Sequence, residues 1–598
     1  MENDAVFATE ADVDVGFHPA HSSKPPNRYS GNDYVRKGSK AESGPSARQH
    51  PAHEETPLLR REDGGYSDRH WGEEGNNELS SWPGMTEFEG LPWWKKPSIF
   101  WLLPAFLLFA LAFGGIVVPK LNLILTLICR EYIADRSADD PNFTVLPVVF
   151  GGENPQCRIP EVQSRVAQFT LYGNLISGIL SAITSPKLGA LSDRYGRKKL
   201  LLVSAAGMLT GEIITIFAAK YPESFPFNWI LVGYAMDGLC GSFIVGMVLA
   251  HSYATDCTPP QERNVAFGYF HGCLFTGIAL GPIVAGYIIK GTNSVLSVFY
   301  VALGCHLLFI VFLIFFIPES LSKTRQAAAR EKHRLEVIRL GPAADWINQI
   351  RAFNLLAPLK ILYPTGEGSS SAVRRNLLLL ASVDTIVFSV AMGAMTVIVI
   401  YTNIQFGWGD FQSSEFVSIV NSSRVFCLII LLPIVNRLVR GPSGTSRQKN
   451  SGSDNFDLSV IRIAIFFDTL GYLGYALSRS GTLFIVSGVV ASVGGIGSPT
   501  LGSALTKHVP PDRTGQLLGA TGLLHALARI IGPTIFNAIY SATVGKFRQT
   551  VFVCLAATFG LAFLCSWFIR PHVYLDEQDV PDSSTLDEEL INGEGMVH

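Results

Sequence analysis

One short segment concentrates acid, base and glycine between two long apolar stretches. Its ordered residues are Gly189, Asp193, Arg194, Gly196, Arg197, Lys198 and Lys199. The carboxylate of Asp193 can accept hydrogen bonds from Arg197 and from amides at a helix N-terminus. The two glycines permit a tight turn and close approach of helices. A basic loop on the cytosolic side of a membrane would explain the charge, but not the spacing G-x-x-x-D-R-x-G-R-K-x.

That spacing resembles the signature between helices 2 and 3 of the major facilitator superfamily. The resemblance implies an all-α polytopic membrane protein with twelve transmembrane helices in two six-helix pseudo-repeats, which works by alternating access. It also implies that Asp256 and Arg263, which flank the turn between the fourth and fifth helices, help to latch the halves on the cytosolic side. The expected gating residues are Gly189, Asp193, Arg194, Gly196, Arg197, Asp256 and Arg263.

The composition is typical of a membrane protein and argues against several other classes of protein. Of 598 residues, 48% are apolar and 16% are charged, and the mean hydropathy is +0.28. The net charge of −2 gives no indication of a nucleic-acid partner. The sequence offers no Cys/His metal spacing, no nucleophile–base pair and no phosphate-binding loop. We therefore expect no enzyme activity, no metal and no cofactor.

Apolar segments of the length needed to cross a bilayer, about 20 residues, recur along the chain. They lie near 99–128, 165–189, 198–219, 227–252, 264–289, 295–317, 375–402, 414–438, 458–478, 482–506, 514–541 and 548–569. The even count puts both tails on one side. Basic connections at 194–199, 322–375 and 437–449 alternate with acidic or nearly neutral ones such as 129–164, which places both termini in the cytosol.

These segments predict five regions. They are a disordered cytosolic N-terminal tail (1–97), a first six-helix half (98–321), a cytosolic linker with an amphipathic helix (322–374), a second half (375–570) and a disordered acidic tail (571–598). An internal repeat supports the two halves. Thr258-Pro-Pro-Gln-Glu-Arg263 precedes Gly281-Pro282 by nearly the distance at which Val509-Pro-Pro-Asp-Arg513 precedes Gly532-Pro533.

Ionisable residues inside the predicted spans are functional candidates, because charge is costly in hydrocarbon. Asp237, flanked by glycines, is the first choice for a proton or substrate role; a hydrogen-bonded packing role is the alternative. Arg529 needs a buried acid or an anionic ligand, and both an ion pair with Asp384 or Asp468 and substrate binding remain open. The proton or substrate candidates are Asp237, Asp384, Asp468, Arg424, Arg529 and His525; Glu212, His251, His271 and Glu415 also fall within the spans.

The fifth span contains a stripe of small residues with one proline, which permits close helix packing and a kink. The stripe consists of Gly277, Gly281, Pro282 and Gly286. It is similar to the helix-5 signature of antiporters in the family, so both packing and a part in coupling are open. The connection Tyr253-Ala-Thr-Asp256-Cys-Thr-Pro-Pro-Gln-Glu-Arg263 is most similar to the tetracycline-efflux and proton-coupled folate transporter branches.

Three features lie outside the predicted spans. Cys129 and Cys157 share the loop 129–164 and are candidates for a disulfide, and Asn142 begins a glycosylation sequon. The N-terminal tail carries Glu54, Leu58 and Leu59 in a pattern that resembles an acidic dileucine sorting signal. That signal would bind a sorting adaptor and favours a vacuolar or endolysosomal membrane over the plasma membrane.

The sequence therefore predicts a monomeric transporter that moves a small organic solute with protons across a lipid bilayer. Protonation of a buried acid would bias one conformation over the other. An uncoupled facilitator and a nutrient sensor built on a transporter fold are the alternatives.

Overall fold

The computed structural model describes residues 88, 90–139, 155–157, 159–340, 357–365, 369–408, 410–441, 452–543 and 545–575. Every regular element in these ranges is a helix. The sorting residues Glu54, Leu58 and Leu59 and the sequon at Asn142 lie outside the described residues, as do most of the two tails predicted to be disordered. The described ends of those tails are ordered: Trp93–Lys95 form a 3-10 helix, and the amide of Leu575 donates to the carbonyl of His508.

Seven α-helices of the described residues belong to the N-terminal half. They are α1 (Ile99–Asp139), α2 (Pro160–Tyr195), α3 (Arg197–Lys220), α4 (Trp229–Leu239), α5 (Ser242–Cys257), α6 (Arg263–Thr292) and α7 (Leu296–Phe315). The helices α4 and α5 together occupy the fourth predicted span. They are separated at Gly241, whose φ of +91° is accessible mainly to glycine.

The helix α8 (Lys323–Leu340) begins the connection between the halves. The C-terminal half then comprises α9 (Ser371–Phe406), α10 (Asp410–Phe426), α11 (Leu432–Arg440), α12 (Asn455–Leu477), α13 (Gly481–Val493), α14 (Gly497–Thr506), α15 (Thr514–Thr543) and α16 (Thr550–Ser566). A π-helical turn, Cys427–Leu431, joins α10 to α11, and a 3-10 turn, Gly494–Ile496, joins α13 to α14. Each joined pair occupies one predicted span.

Eleven helical segments of the described part are long and apolar enough to cross a membrane. Helix α16 has 17 residues, about 25 Å at 1.5 Å per residue, which is short of the roughly 30 Å of a bilayer's hydrocarbon core. The count of twelve spans therefore remains a prediction.

Each half buries its own apolar core. In the N-terminal half, aromatic rings of α1 and α6, such as Phe106 and Phe270, meet edge to face. In the C-terminal half, Tyr401, Phe484 and Phe552 pack together. Separate cores allow each half to behave as one rigid unit.

Glycines bring α1 and α6 into backbone contact. A Cβ on Gly277 would lie 2.2 Å from the carbonyl oxygen of Ala110, and a Cβ on Gly281 would lie 2.5 Å from the amide nitrogen of Gly115. The interpretation of Gly286 as a packing glycine is wrong, because a Cβ there would meet no atom within 4 Å. Pro282 lies inside α6.

The two predicted loop cysteines form a disulfide, with Cα atoms 5.5 Å apart. The expectation that Cys129 belongs to the loop is wrong, because α1 continues past it to Asp139. Both cysteines are buried among apolar side chains such as Phe169. We call this end of the bundle the disulfide side, and the opposite end, which carries 193–199 and α8, the linker side.

Candidate functional site

A buried ion-pair cluster lies where α2, α3 and α5 meet on the linker side. The guanidinium of Arg197 is fully buried, with Nη1 2.6 Å from Asp193 Oδ1 and Nε 3.0 Å from Asp256 Oδ2. A second cation, Arg325, lies 3.6 Å from the other oxygen of Asp256. We call Asp193, Arg197 and Asp256 the N-terminal cluster. One central cation is held between two acids there.

Asp193 also binds the C-terminal half. Its two carboxylate oxygens accept hydrogen bonds from the backbone N–H groups of Gly515, at 3.1 Å, and Gln516, at 2.9 Å. These amides belong to the first turn of α15, where unpaired N–H groups and the helix dipole favour an anion. The sequence predicted both kinds of donor for this carboxylate, without identifying the helix.

Glycine makes that contact sterically feasible. A Cβ on Gly189 would lie 2.4 Å from the carbonyl oxygen of Gly515 and 2.8 Å from the Cα of Gly519. Helices α2 and α15 therefore touch backbone to backbone, and larger residues at these positions would hold the halves apart.

Gly196 separates α2 from α3 with a φ of +99°. The turn exposes the first amides of α3, and Glu319 caps them, accepting from Arg197 N at 2.7 Å and Lys198 N at 3.2 Å. Burial raises the pKa of the Glu319 carboxyl above its usual value, while the amide donors and the charge of Arg197 oppose the shift. Sequence reasoning assigned no role to Glu319, since nothing in the sequence places the end of α7 beside this turn.

Arg194 and Arg263, the other two expected gating residues, also form hydrogen bonds to other helices. The carbonyl of Arg194 accepts a hydrogen bond from Arg330 of α8 at 3.0 Å. Arg263 is almost fully buried, and its Nη1 lies 3.4 Å from the carbonyl oxygen of Thr506 in the C-terminal half. The linker helix and both halves therefore meet at one place.

A second buried cluster lies on the linker side of the C-terminal half. Asp457, fully buried at the start of α12, accepts a hydrogen bond from Arg440 at 2.9 Å and another from the ammonium of Lys507. Arg440 also binds Asp454 at 2.8 Å and donates to the carbonyl of Gln261 in the N-terminal half. We call Arg440, Asp457 and Lys507 the C-terminal cluster.

The two clusters occupy corresponding places with opposite charges. In each half, one member lies near the end of the second span, one at the start of the third and one near the end of the fourth. In that order, the signs are minus, plus, minus in the N-terminal cluster and plus, minus, plus in the C-terminal cluster. Sequence reasoning missed the second cluster, because it looked for another copy of the same acid–base spacing.

Near the middle of the bundle, Asp384 of α9 and His525 of α15 form a hydrogen-bonded pair. Nε2 of His525 lies 2.9 Å from Asp384 Oδ2, and the imidazole stacks on Phe388 with centroids 4.3 Å apart. Asp384 is 4% exposed. The sequence identified both residues but did not pair them.

Asp237 of α4 accepts a hydrogen bond from the Ser177 hydroxyl of α2 at 2.9 Å. One turn earlier in α4, the ring of Tyr234 lies 4.1 Å below the ammonium of Lys120 from α1. Asp237, Tyr234 and Lys120 are all half-buried. Sequence reasoning missed Lys120, although a lone lysine inside a long apolar segment is a signal that could have identified it.

The two intramembrane arginines of the C-terminal half differ in their surroundings. Arg424 lies over the ring of Phe275 at 4.8 Å, and its side chain packs on Gly495, while the carboxylate of Asp468 packs on the neighbouring Gly494. Arg529 is half-buried and has no ion-pair partner among the described residues. Neither predicted partner of Arg529, Asp384 or Asp468, lies within ion-pair distance of it.

The remaining histidines inside the predicted spans, among the described residues, form two groups. His251 stacks between Phe267 and His271, with the two imidazole centroids 5.1 Å apart, and His271 faces Ser498 of α14 at 3.4 Å. His306, which sequence reasoning missed, is fully buried, and its Nδ1 lies 2.8 Å from the Glu212 carboxylate inside the N-terminal half. Glu415 is exposed.

The long apolar helices, the two separately packed halves and the polar groups between them define a polytopic membrane transporter. Residues 165–533 match the sequence profile of the Major Facilitator Superfamily. The chain belongs to the major facilitator superfamily, which confirms the family resemblance.

Relatives and solved structures agree with this assignment. The chain is 32% identical to the MFS-type transporter avaJ of Aspergillus versicolor over 79% of this chain and 89% of that protein. It is 27% identical to the class C tetracycline resistance protein of Escherichia coli, over 65% and 84%. In fold it is similar to the human organic anion transporter MFSD10, with a TM-score of 0.57 at 18% identity over 78% and 98% of the chains. It is also similar to the proton:xylose symporter XylE, with a TM-score of 0.51 at 16% identity over 80% and 97%.

Proposed function

We propose that this transporter moves a small organic solute by alternating access and that protons drive the movement. The observation that carries the proposal is the bond between Asp193 and the N-terminus of α15. It joins the two halves through a buried charge that must be desolvated again each time the contact re-forms. Such a contact suits a latch that opens and closes as a unit.

The structure corresponds, in this proposal, to the state in which the linker side is closed. Contacts between the halves run from Asp193 and Arg263 at the linker side to Gly178, against which Ile530 packs, in the middle of α2. Opening this side would break these cross-half bonds, together with the bond from Arg440 to Gln261, and expose the N-terminal cluster. We place the linker side in the cytosol, following the basic connections.

Two acids are candidates for the proton site. Asp237, the first choice, is half-buried with only a hydroxyl as its hydrogen-bond donor in the described part. Asp384 is more deeply buried and is hydrogen-bonded to His525. A proton taken up on either acid removes a negative charge from mid-membrane, and this change does work only if the two conformations bind the proton unequally.

The membrane that holds the protein is a further proposal. The acidic dileucine-like signal at Glu54, Leu58 and Leu59 would direct the chain to a vacuolar or endolysosomal membrane. An export direction would then carry solute into an acidic lumen in exchange for protons. Microscopy of the full chain beside a Leu58→Ala, Leu59→Ala variant tests this signal: both proteins at the same membrane would overturn it.

The function is tested by lumenal pH recording in liposomes that contain the purified protein. Organic anions, cations and neutral nutrients are supplied in turn. Solute-dependent proton movement that disappears in Asp237→Asn supports coupling at Asp237, and the same loss in Asp384→Asn alone would move the proton site to the second acid. Solute uptake that moves no protons in any of the three proteins would overturn coupling and leave a facilitator.

A further inference from the structure

We propose that the solute is an organic anion, held at mid-membrane between Lys120 of α1 and Arg529 of α15. This inference rests on the transport function proposed above and adds the chemical class of the substrate. It starts from two intramembrane cations that no carboxylate of the described residues neutralises.

Helix α2 places the two cations at nearly the same depth. Gly173 packs on the Tyr234 ring that lies under Lys120, and Gly178 packs on Ile530, the neighbour of Arg529. Gly173 and Gly178 are five residues apart, about 7.5 Å along the helix. Both lie close to the middle of α2, which runs from Pro160 to Tyr195. The two cations therefore lie within about 7.5 Å of each other in depth, one in each half.

Arg529 faces the space between the halves. On α15, His525 and Gly532 contact α9, through Asp384 and Ser389 respectively, whereas Ala526 packs on the N-terminal half. At about 100° per residue, Arg529 projects about 40° from His525 and about 60° from Ala526. It points between the two helix contacts, and it is only half-buried.

The nearby acids are already engaged with other donors. Asp237 accepts from Ser177, and Asp384 accepts from His525. The ammonium of Lys120 lies over the ring face of Tyr234, a contact that stabilises a cation by only about 2 kcal/mol. A charge at mid-membrane normally faces an opposite charge or water. An anionic solute would supply the missing negative charge and would interact with both cations at once.

The groups beside the cations indicate the rest of the solute. Tyr234 next to Lys120 and Phe388 next to His525 present half-buried aromatic surface at this level. Aromatic faces favour a planar or apolar body. The class that fits is a carboxylate or similar oxyanion on an apolar body.

The electrostatic half of the inference can be tested without knowing the substrate. The seven free cysteines are replaced by serine, and a reporter thiol is placed at Tyr234→Cys or, separately, at Phe388→Cys. Each protein is labelled with a sulfonate-bearing and with a trimethylammonium-bearing methanethiosulfonate, and the ratio of the two rates is measured. The ratio cancels differences in thiol reactivity and reports the local potential.

We expect the sulfonate reagent to react faster, and we expect Lys120→Gln and Arg529→Gln each to lower the rate ratio roughly tenfold. Arg462→Gln is the matched control. That arginine lies over Trp567 at 4.5 Å, away from the two cations, and the ratio should not change. A faster reaction with the cationic reagent, or a ratio that neither substitution changes, would overturn the inference.

A transport assay separates this inference from the proposed function. Labelled phthalate is compared with its neutral diamide and with tetraethylammonium in the same liposomes. Uptake of phthalate that Lys120→Gln and Arg529→Gln abolish supports the anion site. If the diamide or tetraethylammonium is taken up instead of phthalate, the proposed transport function stands and the proposed anionic substrate is overturned. An anion-selective labelling ratio with phthalate uptake that moves no protons counts against proton coupling and keeps the anion site.

Discussion

The fully buried carboxylate of Asp457 accepts a hydrogen bond from the ammonium of Lys507. Its other oxygen accepts from Arg440, so one acid holds two cations. In the N-terminal half the central member is a cation, Arg197, that holds two acids. The two halves thus build the same three-member lock with the charges exchanged.

This arrangement predicts an unequal response to neutralisation. Lys507→Met leaves Asp457 with Arg440 and should cost about 3 kcal/mol of unfolding free energy, since it breaks one buried pair. Asp457→Asn leaves the buried Lys507 without its acid and leaves Arg440 with Asp454 alone, so it should cost more. Thermal unfolding of the purified variants in detergent measures both. Equal losses, or a larger loss for Lys507→Met, would contradict the central role of Asp457.

The glycine contact between α2 and α15 predicts a second result. Gly189→Ala places a methyl group only 2.4 Å from the carbonyl oxygen of Gly515, so the linker side should no longer close fully. We expect transport to fall at least tenfold. The control is Gly286→Ala, whose methyl group would meet open space. Equal transport in the two variants would show that close approach at Gly189 is not required.

A pH effect is expected at the linker side. Burial lowers the pKa of His508 to about 4. The neutral ring donates from Nδ1 to the carbonyl of Ala504 at 2.8 Å, and its Nε2 accepts from Asn376 at 3.2 Å. Because the unfolded pKa is about 6.5, this contribution is complete above pH 6.5 and is lost as the pH falls towards 4, for a total of about 3 kcal/mol.

The measurement for His508 compares the pH dependence of unfolding between the parent and His508→Gln. The variant keeps hydrogen-bonding groups but cannot be protonated. Above pH 6.5 the difference in unfolding free energy between the two proteins should not depend on pH. Below pH 6.5 the parent should lose stability relative to the variant. A difference that does not change between pH 7 and pH 4.5 would contradict the buried neutral histidine.

The Glu212–His306 pair should be structural. It lies within the N-terminal half, away from the space between the halves. Glu212→Leu alone leaves a buried imidazole without its acceptor and should destabilise the protein by about 2 kcal/mol. The double variant Glu212→Leu, His306→Phe removes both polar groups and should recover most of that loss, with transport preserved. Loss of proton movement in the stable double variant would instead make this pair part of the coupling.

Sequence reasoning predicted the helical membrane fold and the chemistry of the 189–199 segment, because apolar length and a fixed local spacing are properties of the chain alone. It also identified Asp384 and His525 as candidates. It could not pair them, since the two residues are 141 positions apart in the chain and their contact depends on how α9 and α15 pack. Lys120 and His306 were missed for a different reason: each is a single polar residue inside an apolar segment, and its isolation there was the only signal that the sequence offered.

The C-terminal cluster shows the same limit more clearly. Arg440 and Asp457 are 17 residues apart, whereas Asp193 and Arg197 are separated by four. A search for the local spacing cannot recover a cluster whose members come from distant positions and carry opposite signs. Only the packed half brings them together.

The backbone contact of Gly189 with Gly515 and Gly519 has a consequence for speed. Interlocked side chains would have to change rotamers whenever the halves part, and each new encounter would need to find the same fit. Two glycine surfaces have no side chains whose rotamers must be restored. They can separate and meet again without any side-chain rearrangement, so the charged groups beside them are left to set the rate of the cycle.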